Sequence, residues 1–194
     1  MGEPDGGALT VFVHGRETGS VANGPGRRFV LWLQGCTLGC AGCFNPATHA
    51  PALAASATTV AAIEADMVAA TGVDGLTLSG GEPMQQPAAS LALLRAARRR
   101  GWSTLMFSGY TRAEIEAQPL GPAVLAELDV LVDGRYQASE RLGAGLRGSR
   151  NQVVHRLTER HGEAELAAVP TGEIRIGPDG QVVLTGVSPL VLRR

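Results

Sequence analysis

The chain has 194 residues, 44% of them hydrophobic and 18% charged, with a net charge of −1 and a mean hydropathy of +0.07. That is the profile of one folded domain able to bury roughly 70% of its unfolded surface. It gives no electrostatic case for nucleic acid or an anionic membrane as main partner. All 17 basic residues are Arg, so a phosphate loop ending in Gly-Lys-Ser/Thr and a pyridoxal-phosphate Schiff base are both excluded. No apolar run reaches the ~18 residues of a membrane span. Met1-Gly2-Glu3-Pro4-Asp5 lacks a secretory pattern, and Gly6 stands where a myristoylation motif needs Ser or Thr. A cytoplasmic chain is the expectation.

In chain order, short apolar β-rich runs at Leu9–Val13, Phe29–Leu33, Leu76–Leu78, Thr104–Phe107 and Val130–Val132 suit strands buried on both faces of a parallel sheet. Helical patterns lie between them. Thr59–Ala70 places Val60, Ile63, Met67 and Val68 at helical spacing, and Ala88–Arg100 ends on Arg98-Arg99-Arg100 before Gly101. A cationic last turn followed by Gly is a helix stop. Ala113–Gln118 and Ala123–Glu127 read as shorter helices around Pro119 and Pro122. Strand alternating with helix predicts an α/β sheet or barrel with right-handed crossovers. Arg141–His161 is Arg-rich and reads as partly loop. Glu173–Ile176 and Gln181–Leu184 predict a β-hairpin turning at Pro178-Asp179-Gly180.

The three cysteines, Cys36, Cys40 and Cys43, fall within eight residues directly after the Phe29–Leu33 strand, on a loop broken by Gly35, Gly39 and Gly42. Glycines let backbone wrap closely round a bulky group, and thiolates select zinc, copper(I) or iron–sulfur. An odd count in a cytoplasmic context argues against disulfides. Three readings stand side by side: unrelated buried thiols; a zinc site closed by His49 as fourth ligand; and a four-iron cluster whose fourth iron stays open to a substrate. After the Leu76–Leu78 strand, Ser79-Gly80-Gly81-Glu82-Pro83 can offer backbone groups and one carboxylate to an ammonium group. In isolation it equally reads as a turn whose acid leads a helix.

Together, Cys36-x3-Cys40-x2-Cys43 and Gly80-Gly81-Glu82-Pro83 resemble the radical S-adenosylmethionine superfamily. Within it the chain resembles the small glycyl-radical-enzyme activases, nearest to those serving anaerobic ribonucleotide reductase. Further segments carry the likeness in family order: Asn23-Gly24-Pro25-Gly26, Gln34-Gly35-Cys36, Gly42–Pro46, Ser108-Gly109-Tyr110, Asp129–Arg135 and Arg147–Gln152.

The resemblance implies a [4Fe–4S] cluster on Cys36, Cys40 and Cys43, its free iron chelating S-adenosylmethionine. Gly80, Gly81 and Glu82 would meet the methionyl amine, Phe44 the adenine, and Arg135 the methionyl carboxylate. Tyr110 and Asn151 match family segments without an assignable role. The implied product is a 5′-deoxyadenosyl radical. The implied partners are a glycyl radical enzyme, expected to be the anaerobic ribonucleotide reductase, and a one-electron donor such as flavodoxin or ferredoxin. A small molecule or ribosomal peptide is the alternative substrate, and a zinc-stabilised binding module the alternative class. The absence of a fourth cysteine excludes an auxiliary cluster. The implied fold is a short, incomplete (β/α) barrel forming one domain over 1–194. Its core is about 9–155, and the extension 156–194, with the hairpin and Pro189-Leu190-Val191-Leu192, matches nothing in the activase pattern. His14, His155 and His161 show no ligand spacing and read as satisfied polar residues.

Overall fold

The computed structural model describes residues 9–43, 45–51, 56–177 and 180–188. Strands β1 (Thr10–Ser20), β2 (Arg28–Leu33) and β3 (Ala57–Thr59) precede helix α1 (Val60–Ala69). Then come β4 (Gly75–Gly80), α2 (Pro87–Arg99), β5 (Ser103–Phe107), α3 (Arg112–Glu116), α4 (Gly121–Ala126) and β6 (Val130–Asp133). The last third holds β7 (Arg141–Ala144), β8 (Arg147–Ser149), β9 (Val153–Arg156), α5 (Glu163–Ala167), β10 (Glu173–Ile176) and β11 (Val182–Thr185).

One seven-stranded sheet runs β3-β1-β2-β4-β5-β6-β9. The neighbours from β2 to β6 are parallel, while β1, β3 and β9 join antiparallel. The sequence expectation is corrected here in one respect. The first apolar run, Leu9–Val13, opens an antiparallel strand whose half-exposed alternation continues to Ser20. A barrel is not shown: β3 and β9 end the strand order, and only β2 to β6 are linked by helical crossovers of the kind that parallel neighbours need.

Helices α1 to α4 cover one face. Phe29, Leu31 and Leu33 of β2, Leu76 and Leu78 of β4, Met106 and Leu131 pack with Ile63, Met67, Leu93 and Leu94 in a single buried cluster. Each such side chain is worth about 1.5–3 kcal/mol when fully buried. Val68, expected on that stripe, is instead 68% exposed. Thr59 caps α1 by accepting Ala62 N–H, Pro87 opens α2, and Thr111 with Glu114 forms a capping box on α3.

The opposite face is covered differently. Leu105, Val130 and Val132 pack under Leu146, Leu166 and Val169, brought there by the β7–β8 hairpin and by α5 with the turn that follows it. The hairpin of β10 and β11 pairs as expected, with Ile174 opposite Leu184 and Ile176 opposite Val182. Pro178 and Asp179 of its turn, the tail from Pro189, and Met1–Asp5 lie outside the described residues. Among the described residues, no helix is long and apolar enough to cross a membrane.

Candidate functional site

A cavity of about 380 Å³ opens at the C-terminal ends of the parallel strands and is lined by Cys36, Cys40 and Cys43, by Ser79 to Glu82, and by Phe107 and Ser108. This is where α/β sheets place their ligands. Two segments 47 and 48 residues apart in sequence are sewn together there. Gly81 N–H donates to Leu33 O at 2.7 Å, and Glu82 N–H to Gly35 O at 2.9 Å, so the turn after β4 lies against the start of the cysteine loop after β2.

The glycines make that approach feasible. Gly80 has φ +92°, and a Cβ on it would sit 2.6 Å from Leu33 N; a Cβ on Gly81 would sit 2.3 Å from Gly35 O. No side chain fits between the two loops.

Glutamines brace the cysteine loop from outside. Gln85 donates to Thr37 Oγ1 at 2.7 Å and accepts Thr37 N–H at 3.1 Å. Gln34 donates to Ala47 O and Ala50 O, while Gln86 donates to Gln34 O and Phe12 O. Of these positioning residues the sequence singled out Gln34 alone, within Gln34-Gly35-Cys36 and without a role. Their partners are mainly backbone atoms, which leave no residue-type pattern to read.

All three cysteines are free and half-buried. Burial pushes the Cys36 and Cys43 thiols up, while backbone N–H groups two residues on, from Leu38 and Asn45, oppose the shift. The Asn45 N–H lies 3.4 Å from Cys43 Sγ. Donors of this kind stabilise a thiolate and tune the potential of an iron–sulfur cluster. Among the described residues, no three His, Cys, Asp or Glu side chains converge on a single-ion position. His49 lines the cavity but closes no tetrahedral site. Three separate thiols round a cavity fit a polynuclear cluster, whose irons each take one thiolate, better than a lone zinc ion.

Glu82 is 1% exposed. Oε1 accepts Met84 N–H at 2.9 Å and Ser108 Oγ–H at 2.8 Å; Oε2 accepts Gly109 N–H at 2.8 Å. The side chain thus caps the turn Pro83–Gln85 and lines the cavity, joining the two readings of Gly-Gly-Glu-Pro. Burial, only partly offset by these donors, pushes the carboxyl up to about 7. A carboxyl poised there gains from a cationic neighbour. The Ser108-Gly109-Tyr110 segment now has a role, because two of its residues hold Glu82.

Arg135, expected at a ligand carboxylate, is not among the cavity-lining residues. Its guanidinium pairs with Glu114 at 2.9 Å and stacks 5.6 Å from the Tyr110 ring, and the neighbouring Tyr136 lines the cavity instead. The ion pair holds the Glu114 carboxyl down at about 2. Tyr110 also receives a bond from Gln85 Nε2 at 3.4 Å. Asn151 donates to Arg135 O at 2.8 Å, and Gln152 to Gly134 O at 2.9 Å, fastening the loop after β6 to β8. Phe44 lies outside the described residues. His155 faces Asp133 and His161 faces Glu165, each at 3.0 Å, and His14 meets Gln34 at 2.9 Å.

Comparison with known proteins adds a second line of argument. Residues 22–155 match the family model described as a 4Fe–4S single cluster domain. Several anaerobic ribonucleoside-triphosphate reductase-activating proteins are similar in sequence. That of Vibrio cholerae is 38% identical over 151 residues, covering 71% of this chain and 93% of its own length. That of Escherichia coli K12 is 31% identical, covering 71% and 93%, and that of Enterobacteria phage T4 is 30% identical, covering 71% and 88%.

Proposed function

The chain belongs to the family of anaerobic ribonucleoside-triphosphate reductase-activating proteins, and from that premise we propose that it activates an anaerobic ribonucleotide reductase by generating a glycyl radical on it. One observation carries the reading: three free cysteines and the Gly80-Gly81-Glu82 turn line the same cavity at the strand ends.

In this reading Cys36, Cys40 and Cys43 hold the [4Fe–4S] cluster and leave one iron open. Held by these thiolates, the cluster would supply the single electron needed to cleave the carbon–sulfur bond of S-adenosylmethionine into methionine and a 5′-deoxyadenosyl radical, the species that would take a hydrogen atom from glycine Cα. The protein's own part is binding, orientation and exclusion of water. Glu82, ionised, would accept the methionyl ammonium through the lone-pair capacity its three donors leave free, and the glycines keep that approach clear. Burial of the carboxylate strengthens such a charge-assisted bond.

The C-terminal ends of β2, β4 and β5, with Trp32, Ser79 and Phe107 on the cavity wall, serve in this reading as the mouth of an incomplete (β/α) barrel. The whole chain, 1–194, acts as one domain in the cytoplasm, with flavodoxin or ferredoxin as electron donor. Arg135, turned to Glu114, contributes positive potential beside the cavity rather than a direct ligand contact.

The test is anaerobic reconstitution with iron and sulfide, followed by EPR. The reduced protein should show a [4Fe–4S]⁺ signal that changes on adding S-adenosylmethionine. With the reductase present, a glycine-centred doublet should appear, and deuterium from labelled glycine should pass into 5′-deoxyadenosine. A cluster signal indifferent to S-adenosylmethionine, or label arriving only from a small molecule or peptide, would overturn the reading.

A further inference from the structure

Residues 156–188 lie beyond the stretch matched by the family model, 22–155, yet their hairpin reaches the cavity. Val183, Leu184, Thr185, Gly186 and Val187 line it together with the cysteines. Strand alternation gives the hairpin two faces. Glu173, Arg175, Val183 and Thr185 share one; Ile174, Ile176, Val182 and Leu184 share the other, as the pairings Ile174–Leu184 and Ile176–Val182 require.

The ordinary arrangement is reversed here: the polar-bearing face is anchored to the body. Arg175 Nε pairs with Glu17 at 2.8 Å and Nη1 donates to Gly19 O at 2.8 Å; Glu173 accepts Val21 N–H at 3.1 Å; Thr185 accepts Asn23 Nδ2 at 2.9 Å. The apolar face is left to solvent, with Ile174 44%, Ile176 72% and Val182 49% exposed. Six large hydrophobic side chains are exposed among the described residues. Four of them, Val21, Ile174, Ile176 and Val182, sit on this hairpin or its anchor. Clustered exposure of this kind marks an interaction site, where scattered exposure does not. Leu184 belongs both to this face and to the cavity lining, so the strip meets the cavity at that residue.

We propose that Ile174, Ile176, Val182 and Leu184 form the docking strip for the reductase segment that carries the target glycine. This rests on the activase reading above. Continuity with the cavity selects the occupant. A glycine offers no side chain to grip, so the residues flanking it must supply the affinity, and an exposed apolar strip leading inward is suited to take them. A small ligand held inside the cavity would leave the exposed isoleucines without use.

The test is the double variant Ile176→Ser, Val182→Ser in the full chain, with Val68→Ser on α1 as a control for lost surface hydrophobicity. Neither Ile176 nor Val182 lines the cavity. Binding to the intact anaerobic reductase is measured by calorimetry under anaerobic conditions, alongside reductant-dependent 5′-deoxyadenosine formation without reductase and sedimentation of the free protein. The expected result is reductase affinity weakened about tenfold or more, with cofactor cleavage and circular dichroism unchanged and Val68→Ser like the parent. Glycyl radical yield should then recover at saturating reductase. Unchanged reductase affinity in the double variant overturns the strip, as does a parent chain that cleaves the cofactor but does not bind the reductase. So does a parent dimer that the double variant converts to monomers while reductase binding persists. A parent that binds the reductase without ever cleaving S-adenosylmethionine overturns the activase reading instead, because the calorimetry reads the strip independently of chemistry.

Discussion

Ser108 donates its hydroxyl to Glu82 Oε1 across 2.8 Å, joining the end of β5 to the turn after β4 on the floor of the cavity. The carboxyl it holds is buried and pushed up to about 7, chiefly by that burial, and nearby Arg135 is paired to Glu114. In the unfolded chain the group would ionise near 4.5. Between those two values the folded state keeps a proton that the unfolded state has lost, so stability falls as pH rises through this window and levels off above it. The span corresponds to about 3 kcal/mol for this group taken alone. Denaturant unfolding of the cluster-free protein at pH 5 and pH 8 should show this loss, and Glu82→Gln should flatten it. Equal pH dependence in the two proteins would remove Glu82 as the cause.

The same carboxyl gives a ligand-binding prediction of opposite sign. An ammonium ligand favours the ionised form, so S-adenosylmethionine affinity of the reconstituted protein should rise as pH passes upward through about 7. Glu82→Gln should weaken binding roughly ten- to hundredfold above that pH, since a hydrogen bond to a charged group is worth about 1.5–3 kcal/mol. The cluster's visible spectrum should stay intact. Affinity identical to the parent's would reduce Glu82 to a turn cap.

Gly81 offers a sharper structural test. Its Cβ would meet Gly35 O at 2.3 Å and Leu33 O at 3.0 Å, and backbone oxygens do not move aside cheaply. Gly81→Ala should therefore push the turn off the cysteine loop, breaking the Gly81–Leu33 and Glu82–Gly35 bonds. Overpacking of this kind costs about 1–3 kcal/mol. The expected outcome is a folded protein that takes up substoichiometric iron and sulfide. Full cluster loading in Gly81→Ala would show that the two loops are not held in register by that contact.

What was legible in the sequence follows from how local each feature is. Phe29–Leu33, Leu76–Leu78, Thr104–Phe107 and Val130–Val132 lie within observed strands because burial on both faces writes a continuous apolar run. The cysteine cavity was legible because its three cysteines lie within eight residues. The β7–β8 hairpin was not, since it turns through Gly143, Gly145 and Leu146, the last at φ 65°, with few apolar residues to mark a strand. Strand β9 and helix α5 are four and five residues long, too short for a period to declare itself. The anchoring of the C-terminal hairpin was out of reach for another reason: Asn23 meets Thr185 across 162 positions, and no local pattern announces such a bond.

That bond ends a chain which begins at a buried cation. Arg28 is 0% exposed, and its bonding partners are all neutral: Thr77 Oγ1 at 3.0 Å, Leu76 O at 2.6 Å, Pro25 O at 3.3 Å, and the hydroxyl and carbonyl of Ser103. Burial pulls its ionisation down to about 10, so it remains charged at neutral pH and depends on these acceptors for solvation. Thr77 Oγ1 in turn donates to Asn23 O at 2.9 Å, and Asn23 Nδ2 donates to Thr185 Oγ1. One guanidinium thus ties β2, β4 and β5 together and supports the anchor of the hairpin that lines the cavity. Arg28→Ala removes five bonds, opens a cavity and orphans buried hydroxyls, so a loss of about 3 kcal/mol or more is expected. Arg28→Met, which refills the volume without restoring the bonds, should cost less. Denaturant midpoints check the order of the two variants. Hydrogen exchange checks the connection: the amides of β11 should lose protection in both variants, while those of α2, on the other face of the sheet, should follow global stability alone. Parent-like protection of β11 relative to global stability in Arg28→Met would mean that the hairpin is anchored independently of Arg28, through Arg175 and Glu17.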